Sequence, residues 1–233
     1  MANSLLSTVR CVTFDIDDTL YLERDYVRSG FRAVDAVVVE RFGAAGFARA
    51  AWEAFERGVR GTIFDEALAQ CGVAASAAEI ADLVAAYRRH MPEVALLDDA
   101  AECLSAIAGS FALAAISDGP LESQRNKAEA LGLGRWCDPV VLTATLGPGR
   151  GKPHAAAFEI VEQTSGCRGE QCVYVADNPA KDFQGPRMLG WRTVRVRRPL
   201  GLHFAVDGPV NWDVELADLG GLAELLGLGS RGK

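Results

Sequence analysis

The stretch that decides the fold is RCVTFDIDDTLY, residues 10–21. Its apolar run at 12–14 is typical of a buried strand, and the run ends in three carboxylates, Asp15, Asp17 and Asp18. On a strand Asp15 and Asp17 share one face, where two like charges repel unless a cation or a shared proton relieves them. The pattern therefore predicts a divalent-cation site at the end of a buried strand. The alternative is that these acids cap a helix or form a solvated turn.

Composition narrows the class of protein. The chain has 233 residues, of which 49% are hydrophobic and 24% charged, and its formal net charge is −7. This charge argues against a nucleic-acid backbone or an anionic membrane as the main partner. The six cysteines include no CxxC pair and no zinc-like spacing. The sequence shows no signal-peptide core and no apolar run long enough to span a membrane, so we expect a cytoplasmic location with reduced thiols.

After Leu20 the pattern changes from strand to helix. Apolar residues recur at helical spacing from Val27 to Val38, and Ser76 with Glu79 forms a predicted capping box before a further apolar stripe. Residues 22–95 are therefore expected to form an all-helical block of about four helices.

From residue 96 onward, predicted strands alternate with predicted helices. Strands that are apolar on both faces and alternate with helices indicate a parallel sheet covered on both sides. The fold class expected is α/β: a Rossmann-like, doubly wound parallel sheet core, residues 1–21 and 96–233, with the helical block 22–95 inserted after the first strand. A last helix is expected near the C-terminal leucines. The predicted strands after the first are 111–117, 139–143, 171–176 and 191–197, and the predicted helices between them are 99–108, 121–131, 155–164 and 182–189.

Polar residues collect where the predicted strands end. Asp15 follows the first strand, Ser117 closes the second, and Asp177 follows the fourth. A glycine-rich segment at 147–151 leads from the third strand to Lys152. Because ligands of open parallel sheets bind beyond the carboxyl ends of the strands, we expect these side chains to share one site.

These residue types suggest phosphoryl chemistry. Asp15 is a carboxylate that could attack phosphorus, and Asp17 could protonate the leaving oxygen and later activate water. Asp15, Asp177 and Asp182 offer the hard oxygen ligands that suit Mg²⁺. Ser117 could bind the remaining phosphate oxygens.

Lys152 is a further candidate phosphate ligand, and Thr19 is expected to fix the loop by hydrogen bonding.

The order of the motifs along the chain shows a specific similarity to a known family. The chain resembles a phosphatase of the haloacid dehalogenase (HAD) superfamily, in the branch with a helical cap inserted after the first strand. The motifs that carry the resemblance are Asp15-x-Asp17-x-Thr19, Ser117, Lys152 and Asp177-x-x-x-x-Asp182.

The resemblance implies a Mg²⁺-dependent reaction through an aspartyl phosphate, with the helical block as a mobile cap. It implies a nucleophile, an acid/base residue that also binds Mg²⁺ through its backbone carbonyl, phosphate ligands, supporting residues and metal ligands. The nucleophile is Asp15, the acid/base residue is Asp17, and the phosphate ligands are Ser117, Asp118 and Lys152. The supporting residues are Thr19 and Asp182, and the metal ligands are Asp15, Asp17 and Asp177.

Each of these residues also has a plainer interpretation. Ser117 could cap the following helix, and Lys152 could be an ordinary solvated lysine. Asp177 and Asp182 could be turn residues. Asp118, although counted beside Ser117 as a phosphate ligand, is interpreted through its own side chain as a residue that supports the site or forms a turn, as is Asp18.

Other charged residues are interpreted as structural. Arg125 and Lys127 are expected on a solvated helix face, and the histidines show no partner that suggests catalysis. Arg195, Arg197 and Arg198 are interpreted as protection of a sheet edge.

The leading hypothesis is a phosphatase of a small phosphorylated metabolite, such as a sugar phosphate or a nucleotide. The alternatives are a phosphomutase, a 2-haloacid dehalogenase and a catalytically silent binding module. We expect a small-molecule substrate, no nucleic-acid or membrane partner, and a monomer or homodimer.

Overall fold

The computed structural model describes residues 5–208 and 210–228 and divides into two compact units. One is a helical unit, Arg24–Val94, and the other, the sheet unit, contains the remainder of the described chain. The sequence boundaries proposed above lie within two residues of this division. No helix within the described residues is long and apolar enough to cross a membrane.

The helical unit has its own aromatic core. The Phe31 ring packs edge-to-face against Phe47 and Phe64, and Phe64 packs in the same way against Tyr87. The predicted capping box at Ser76 is confirmed, since its hydroxyl accepts from the Glu79 N–H and the Glu79 carboxylate accepts from the Ser76 N–H. The helices are α1 (Glu23–Phe42), α2 (Phe47–Glu56), α3 (Ile63–Gln70) and α4 (Ala77–Arg89).

The sheet unit is built on six parallel strands in the order β3-β2-β1-β4-β5-β6. This sheet with its flanking helices confirms the predicted fold class. The strands are β1 (Cys11–Phe14), β2 (Ala112–Ser117), β3 (Val140–Leu142), β4 (Cys172–Ala176), β5 (Arg192–Val196) and β6 (Val214–Leu216). The helices of this unit are α5 (Asp98–Ile107), α6 (Leu121–Ala130), α7 (Ala156–Ser165), α8 (Gln184–Met188) and α9 (Leu222–Leu225).

Strand β1 lies in the interior of the sheet, between β2 and β4, and every one of its residues is buried. Val12 pairs with Leu113 of β2 on one side and with Val173 of β4 on the other. On one face, Phe158 of α7 packs edge-to-face against Tyr174 at a centroid distance of 5.0 Å. The chain runs from β1 to β2 and β3 in one direction and to β4 in the other, so the end of β1 is the topological switch point, where ligands bind in such sheets.

Strand β6 was not predicted. It has three residues, lies in a stretch rich in glycine and proline, and pairs Val194 of β5 with Val214. Because β6 covers β5, the interpretation of Arg195 as edge protection is wrong. Its side chain is fully buried, and it donates to the backbone carbonyls of Asp177 and His203.

Candidate active site

Three of the predicted site residues lie at the carboxyl ends of adjacent strands. Asp15 directly follows β1, Ser117 is the last residue of β2, and Asp177 directly follows β4. Since β1 lies between β2 and β4, the sheet brings these three positions together at one edge.

A buried lysine links the first and last motifs. Lys152 Nζ lies 2.5 Å from Asp15 Oδ1 and 2.8 Å from Asp182 Oδ1, and it donates to the Tyr174 hydroxyl at 3.0 Å. The side chains of Lys152 and Asp182 are fully buried, so the ammonium is not a solvated lysine. Burial disfavours the charged ammonium, but Asp15 and Asp182 hold the pKa of Lys152 well above its ordinary value.

The pKa of Asp15 moves in the opposite direction from that of a solvated acid beside a lysine. Burial, together with the nearby Asp182 and Asp177, raises it to about 8 despite the opposing charges of Lys152 and Lys181. Three buried carboxylates thus lie close together, with the Lys152 ammonium beside Asp15 and Asp182 and with His203 beside Asp177, which leaves more carboxylates than permanent positive charges.

This excess of charge fits a divalent cation. Asp15, Asp177 and Asp182 each offer a carboxylate oxygen, and these oxygens all lie within 4.8 Å of one another. All three residues are buried, and burial also raises the pKa of Asp177. Buried hard oxygen ligands of this number and charge suit Mg²⁺. Asp182 also closes its own turn, because Oδ2 accepts from the Asn178 N–H at 2.9 Å.

Asp17 lies in a separate set of contacts. Lys127 Nζ lies 2.6 Å from Asp17 Oδ1, the Tyr21 hydroxyl donates to the same oxygen, and Gln124 Nε2 donates to Oδ2 at 3.4 Å. Burial raises the pKa of Asp17, but the charge of Lys127 and the hydrogen bonds from Lys127 and Tyr21 lower it by more. The net effect is a pKa below the ordinary value of an aspartate.

The expectation that Lys127 is solvated is wrong, because only 3% of its side chain is exposed. Most residues of α6 are polar, so no apolar stripe marks its buried face. The available signal is spacing: Gln124 and Lys127 lie three residues apart and therefore share a helix face.

Ser117 and Asp118 make different contacts. The Ser117 hydroxyl donates to Gln124 Oε1 at 2.6 Å. The Asp118 carboxylate accepts from the backbone N–H of Lys152 at 3.2 Å and from the Thr143 hydroxyl at 2.5 Å. These contacts support the interpretation of Asp118 as a residue that fixes the loop leading to Lys152.

Within the described residues, Thr19 holds its loop through its backbone and not through its hydroxyl. Its Oγ1 is buried and has no hydrogen-bond partner within residues 5–208 and 210–228. Its backbone carbonyl instead accepts from Arg198 Nε at 2.9 Å. The hydrogen bonds of Thr19 in this loop are therefore those of its backbone, and its side chain is fully buried.

A histidine that sequence reasoning left aside lies at the site. His203 Nδ1 lies 2.8 Å from Asp177 Oδ2, and this contact raises the pKa of His203. The adjacent Leu202 N–H donates to Asp18 Oδ2 at 2.7 Å. Asp18 has a φ of 51°, in the left-handed region that aspartate tolerates better than most residues. The loop after β5 therefore joins the site, a placement that no local pattern in its sequence indicates.

Comparisons with known proteins agree with this geometry. The sequence model of the haloacid dehalogenase-like hydrolases matches residues 9–190, which include every motif above. The chain is a haloacid dehalogenase-like hydrolase. This confirms the superfamily predicted from the motifs and shows that the chain is a hydrolase.

Two relatives of this haloacid dehalogenase-like hydrolase are phosphatases. A phosphoserine phosphatase from Thermus thermophilus is 34% identical over 144 residues, which cover 60% of this chain and 55% of the relative. The chain thus spans only about half the length of that protein. A glyceraldehyde 3-phosphate phosphatase from Methanopyrus kandleri is 27% identical over 201 residues, covering 82% of this chain and 84% of the relative.

Solved structures show the same fold. The HAD-hydrolase YfnB from Bacillus subtilis, solved bound to magnesium, superposes with a TM-score of 0.67 at 21% identity, covering 94% of this chain and 98% of that one. A 2-haloacid dehalogenase from Pseudomonas syringae superposes with a TM-score of 0.64 at 23% identity over the same shares. At these identities the likeness concerns the fold alone.

Proposed function

We propose that this haloacid dehalogenase-like hydrolase is a Mg²⁺-dependent phosphatase that hydrolyses a small phosphorylated metabolite through an aspartyl phosphate. The observation that carries the proposal is the buried group formed by Asp15, Lys152, Asp177 and Asp182 at the switch point of the sheet. The Thermus and Methanopyrus relatives, which are both phosphatases, support the same class of reaction.

In the first step an Asp15 carboxylate oxygen forms a bond to phosphorus while the bond from phosphorus to the leaving oxygen breaks. The leaving oxygen takes a proton from Asp17, whose low pKa the bound phosphate dianion would raise, because a nearby negative charge favours the protonated carboxyl. In the second step Asp17 takes a proton from water, whose oxygen attacks phosphorus and releases inorganic phosphate. This step restores Asp15 as a carboxylate.

The cation would be held by Asp15, Asp177 and the backbone carbonyl of Asp17, with Asp182 beside them. When bound, Mg²⁺ supplies positive charge against the phosphate oxygens and the attacking carboxylate. The ammonium of Lys152 is a second positive charge at the site, which compensates Asp15 and binds a phosphate oxygen. The hydroxyl of Ser117 offers a hydrogen bond to the phosphate.

Asp17 favours phosphate over halide as the leaving group. A halide leaves without a proton, so a dehalogenase has no chemical need for a carboxylate held by three donors beside the nucleophile. The carboxylates of Asp177 and Asp182 likewise favour cation-assisted chemistry. A phosphomutase would keep these residues and differ in protecting the aspartyl phosphate from water, and a silent binding module would need none of them.

The test is phosphate release from a panel of phosphorylated metabolites, with Mg²⁺ and with EDTA. We expect Mg²⁺-dependent release from at least one member and none in the Asp15→Asn variant, because an amide is a poor nucleophile. Asp65→Asn, a change at a helix start in the helical unit, is the matched control and should behave as wild type.

Absence of release from every member, in protein shown to be folded, would contradict the phosphatase. Halide release from 2-haloacids would then favour the dehalogenase, and exchange of phosphate between positions of a sugar phosphate would favour the mutase. The cap role of the helical unit, the cytoplasmic location and the state of assembly stay predictions.

A further inference from the structure

The buried face of α6 connects two motifs of the site. The Ser117 hydroxyl donates to Gln124 Oε1 at 2.6 Å, and Gln124 Nε2 donates to Asp17 Oδ2 at 3.4 Å. One turn later, Lys127 Nζ donates to Asp17 Oδ1 at 2.6 Å. A single helix face therefore contacts both the candidate phosphate ligand and the candidate acid/base residue.

The two oxygens of Asp17 are not equivalent. Oδ1 accepts a short charge-assisted hydrogen bond from Lys127 and a second one from the Tyr21 hydroxyl. Oδ2 accepts the longer bond from Gln124, which at 3.4 Å is near the limit of hydrogen bonding. Oδ1 is thus fixed, and Oδ2 is the oxygen better able to exchange a proton.

Two features indicate that the contacts of Gln124 and Lys127 with Asp17 serve a function. A buried ammonium is costly, and lysines are almost never fully buried unless they are paired. In addition, a Cβ at Gly119 would lie 2.6 Å from Gln124 Nε2, so position 119 lacks a side chain where Gln124 approaches Asp17.

We propose that Lys127 is a positioning residue for Asp17, which fixes Oδ1 so that proton transfer runs through Oδ2. The inference rests on the proposed function, since it assumes that Asp17 transfers a proton to the leaving oxygen. In that step the proton passes from Oδ2 to the leaving oxygen as the phosphorus–oxygen ester bond breaks, and Lys127 keeps its own protons. Oδ2 later takes a proton from the attacking water.

The experiment compares Lys127→Met with wild type in single-turnover release of two leaving groups. One is the alcohol of the best alkyl phosphate in the panel, which must leave with a proton, and the other is p-nitrophenolate, which leaves without one. We expect the rate constant for the alkyl substrate to fall about 100-fold, within the range for general acid catalysis, and that for the aryl substrate to fall less than about 10-fold.

Two further variants make the result specific. Lys127→Arg keeps a charged donor and should recover part of the loss with the alkyl substrate. Arg125→Met removes an exposed charge two residues away on the same helix and should match wild type with both substrates. Should Lys127→Met fail to fold, Tyr21→Phe removes the other donor to Oδ1 and should show the same selectivity to a smaller degree.

Equal losses with both leaving groups, or no loss, would overturn the positioning role while leaving the phosphatase intact. A wild-type protein that releases phosphate from no substrate would instead overturn the proposed function, and this inference with it.

Discussion

Replacement of Lys152 should lower the free energy of unfolding. Its fully buried ammonium compensates Asp15 and Asp182, so Lys152→Met would leave two buried carboxylates without their counter-charge. Removing one partner of a buried ion pair typically costs about 3–5 kcal/mol. We expect the free energy of unfolding, measured by urea denaturation in EDTA, to fall by about 3 kcal/mol or more.

The control for this variant is Lys181→Met. The Lys181 side chain is 38% exposed and lies 3.8 Å from Asp118, so its loss should change stability by less than about 0.5 kcal/mol. Equal stability of Lys152→Met and wild type would show that the buried carboxylates take up protons and do not need the ammonium.

Among single residues, those that belong to a motif could be predicted from the sequence, whereas those that only contact the motif residues could not. Asp15, Ser117, Lys152 and Asp177 stand at strand ends or after a glycine-rich turn, and such positions can be read from local pattern. Lys127 depends on how α6 is rotated against the sheet. The placement of such a residue is fixed by tertiary packing, which a single sequence does not encode locally.

Helix α8 packs closely against the loop that carries Lys152. A Cβ at Gly185 would collide with the Pro153 carbonyl oxygen and lie 2.9 Å from Phe158 Cε2. We expect Gly185→Ala to lower the free energy of unfolding by about 1–3 kcal/mol and to reduce activity, because Pro153 directly follows Lys152. Thermal unfolding and the phosphate-release assay measure both effects.

Gly134→Ala is the matched change for Gly185→Ala. It adds the same methyl group in a short helical turn where, apart from its two chain neighbours, no residue in the described part of the chain lies within 4 Å of the new Cβ, so stability should change by less than about 0.5 kcal/mol. A Gly185→Ala variant as stable and active as Gly134→Ala would contradict close packing of α8 on this loop.

Helix α5 is tied to the chain after β5 through Asp99. Its carboxylate accepts from Arg198 at 2.7 Å and from the Leu219 N–H at 2.7 Å. Burial raises the pKa of Asp99, but these hydrogen bonds and the charge of Arg198 lower it by more, to below its ordinary value. A carboxyl with a depressed pKa stabilises the fold above its unfolded-state pKa and loses this effect as pH falls.

Asp99→Asn should therefore be less stable than wild type at pH 7, by about 1–3 kcal/mol. The difference should shrink as pH falls below about 4, where wild type begins to bind the proton that the amide lacks. Urea denaturation of both proteins across this pH range is the measurement. A difference that grows on acidification would contradict the sign of the pKa shift.

The elements show where sequence patterns reach their limit. Apolar runs that end in acidic or turn residues predicted β1, β2 and β4, and the capping box at Ser76 predicted the start of α4. Strand β6 has three residues, of which none is fully buried, so its pairing with β5 and not its composition makes it a strand. That pairing also explains why Arg195 is buried.

At the scale of the whole molecule, the excess of buried carboxylates predicts that a divalent cation stabilises the fold. A ligand that binds only the native state adds about 2.7 kcal/mol at 100 times its dissociation constant. We expect Mg²⁺ to raise the Tm of wild type, and Asp177→Asn to lose most of this increase because it removes one of three clustered carboxylates.

Asp207→Asn is the control for the metal effect. The Asp207 side chain is 84% exposed and pairs with Arg197, so its loss should leave the Mg²⁺-dependent increase in Tm unchanged. A Tm that does not respond to Mg²⁺ in wild type, or responds equally in all three proteins, would contradict a cation site at Asp177.

The proposed reaction depends most on Asp15 as the residue that receives the phosphoryl group. The most direct measurement is peptide mass mapping of acid-quenched Asp17→Asn protein, mixed with p-nitrophenyl phosphate and Mg²⁺. This substrate needs no proton to leave, and the variant lacks the base that activates water, so the aspartyl phosphate should accumulate. We predict a phosphoryl group on the peptide that contains Asp15 and none when Asp15 is also changed to Asn. Nitrophenolate release with an unmodified Asp15, or with the phosphoryl group on another residue, would contradict the account.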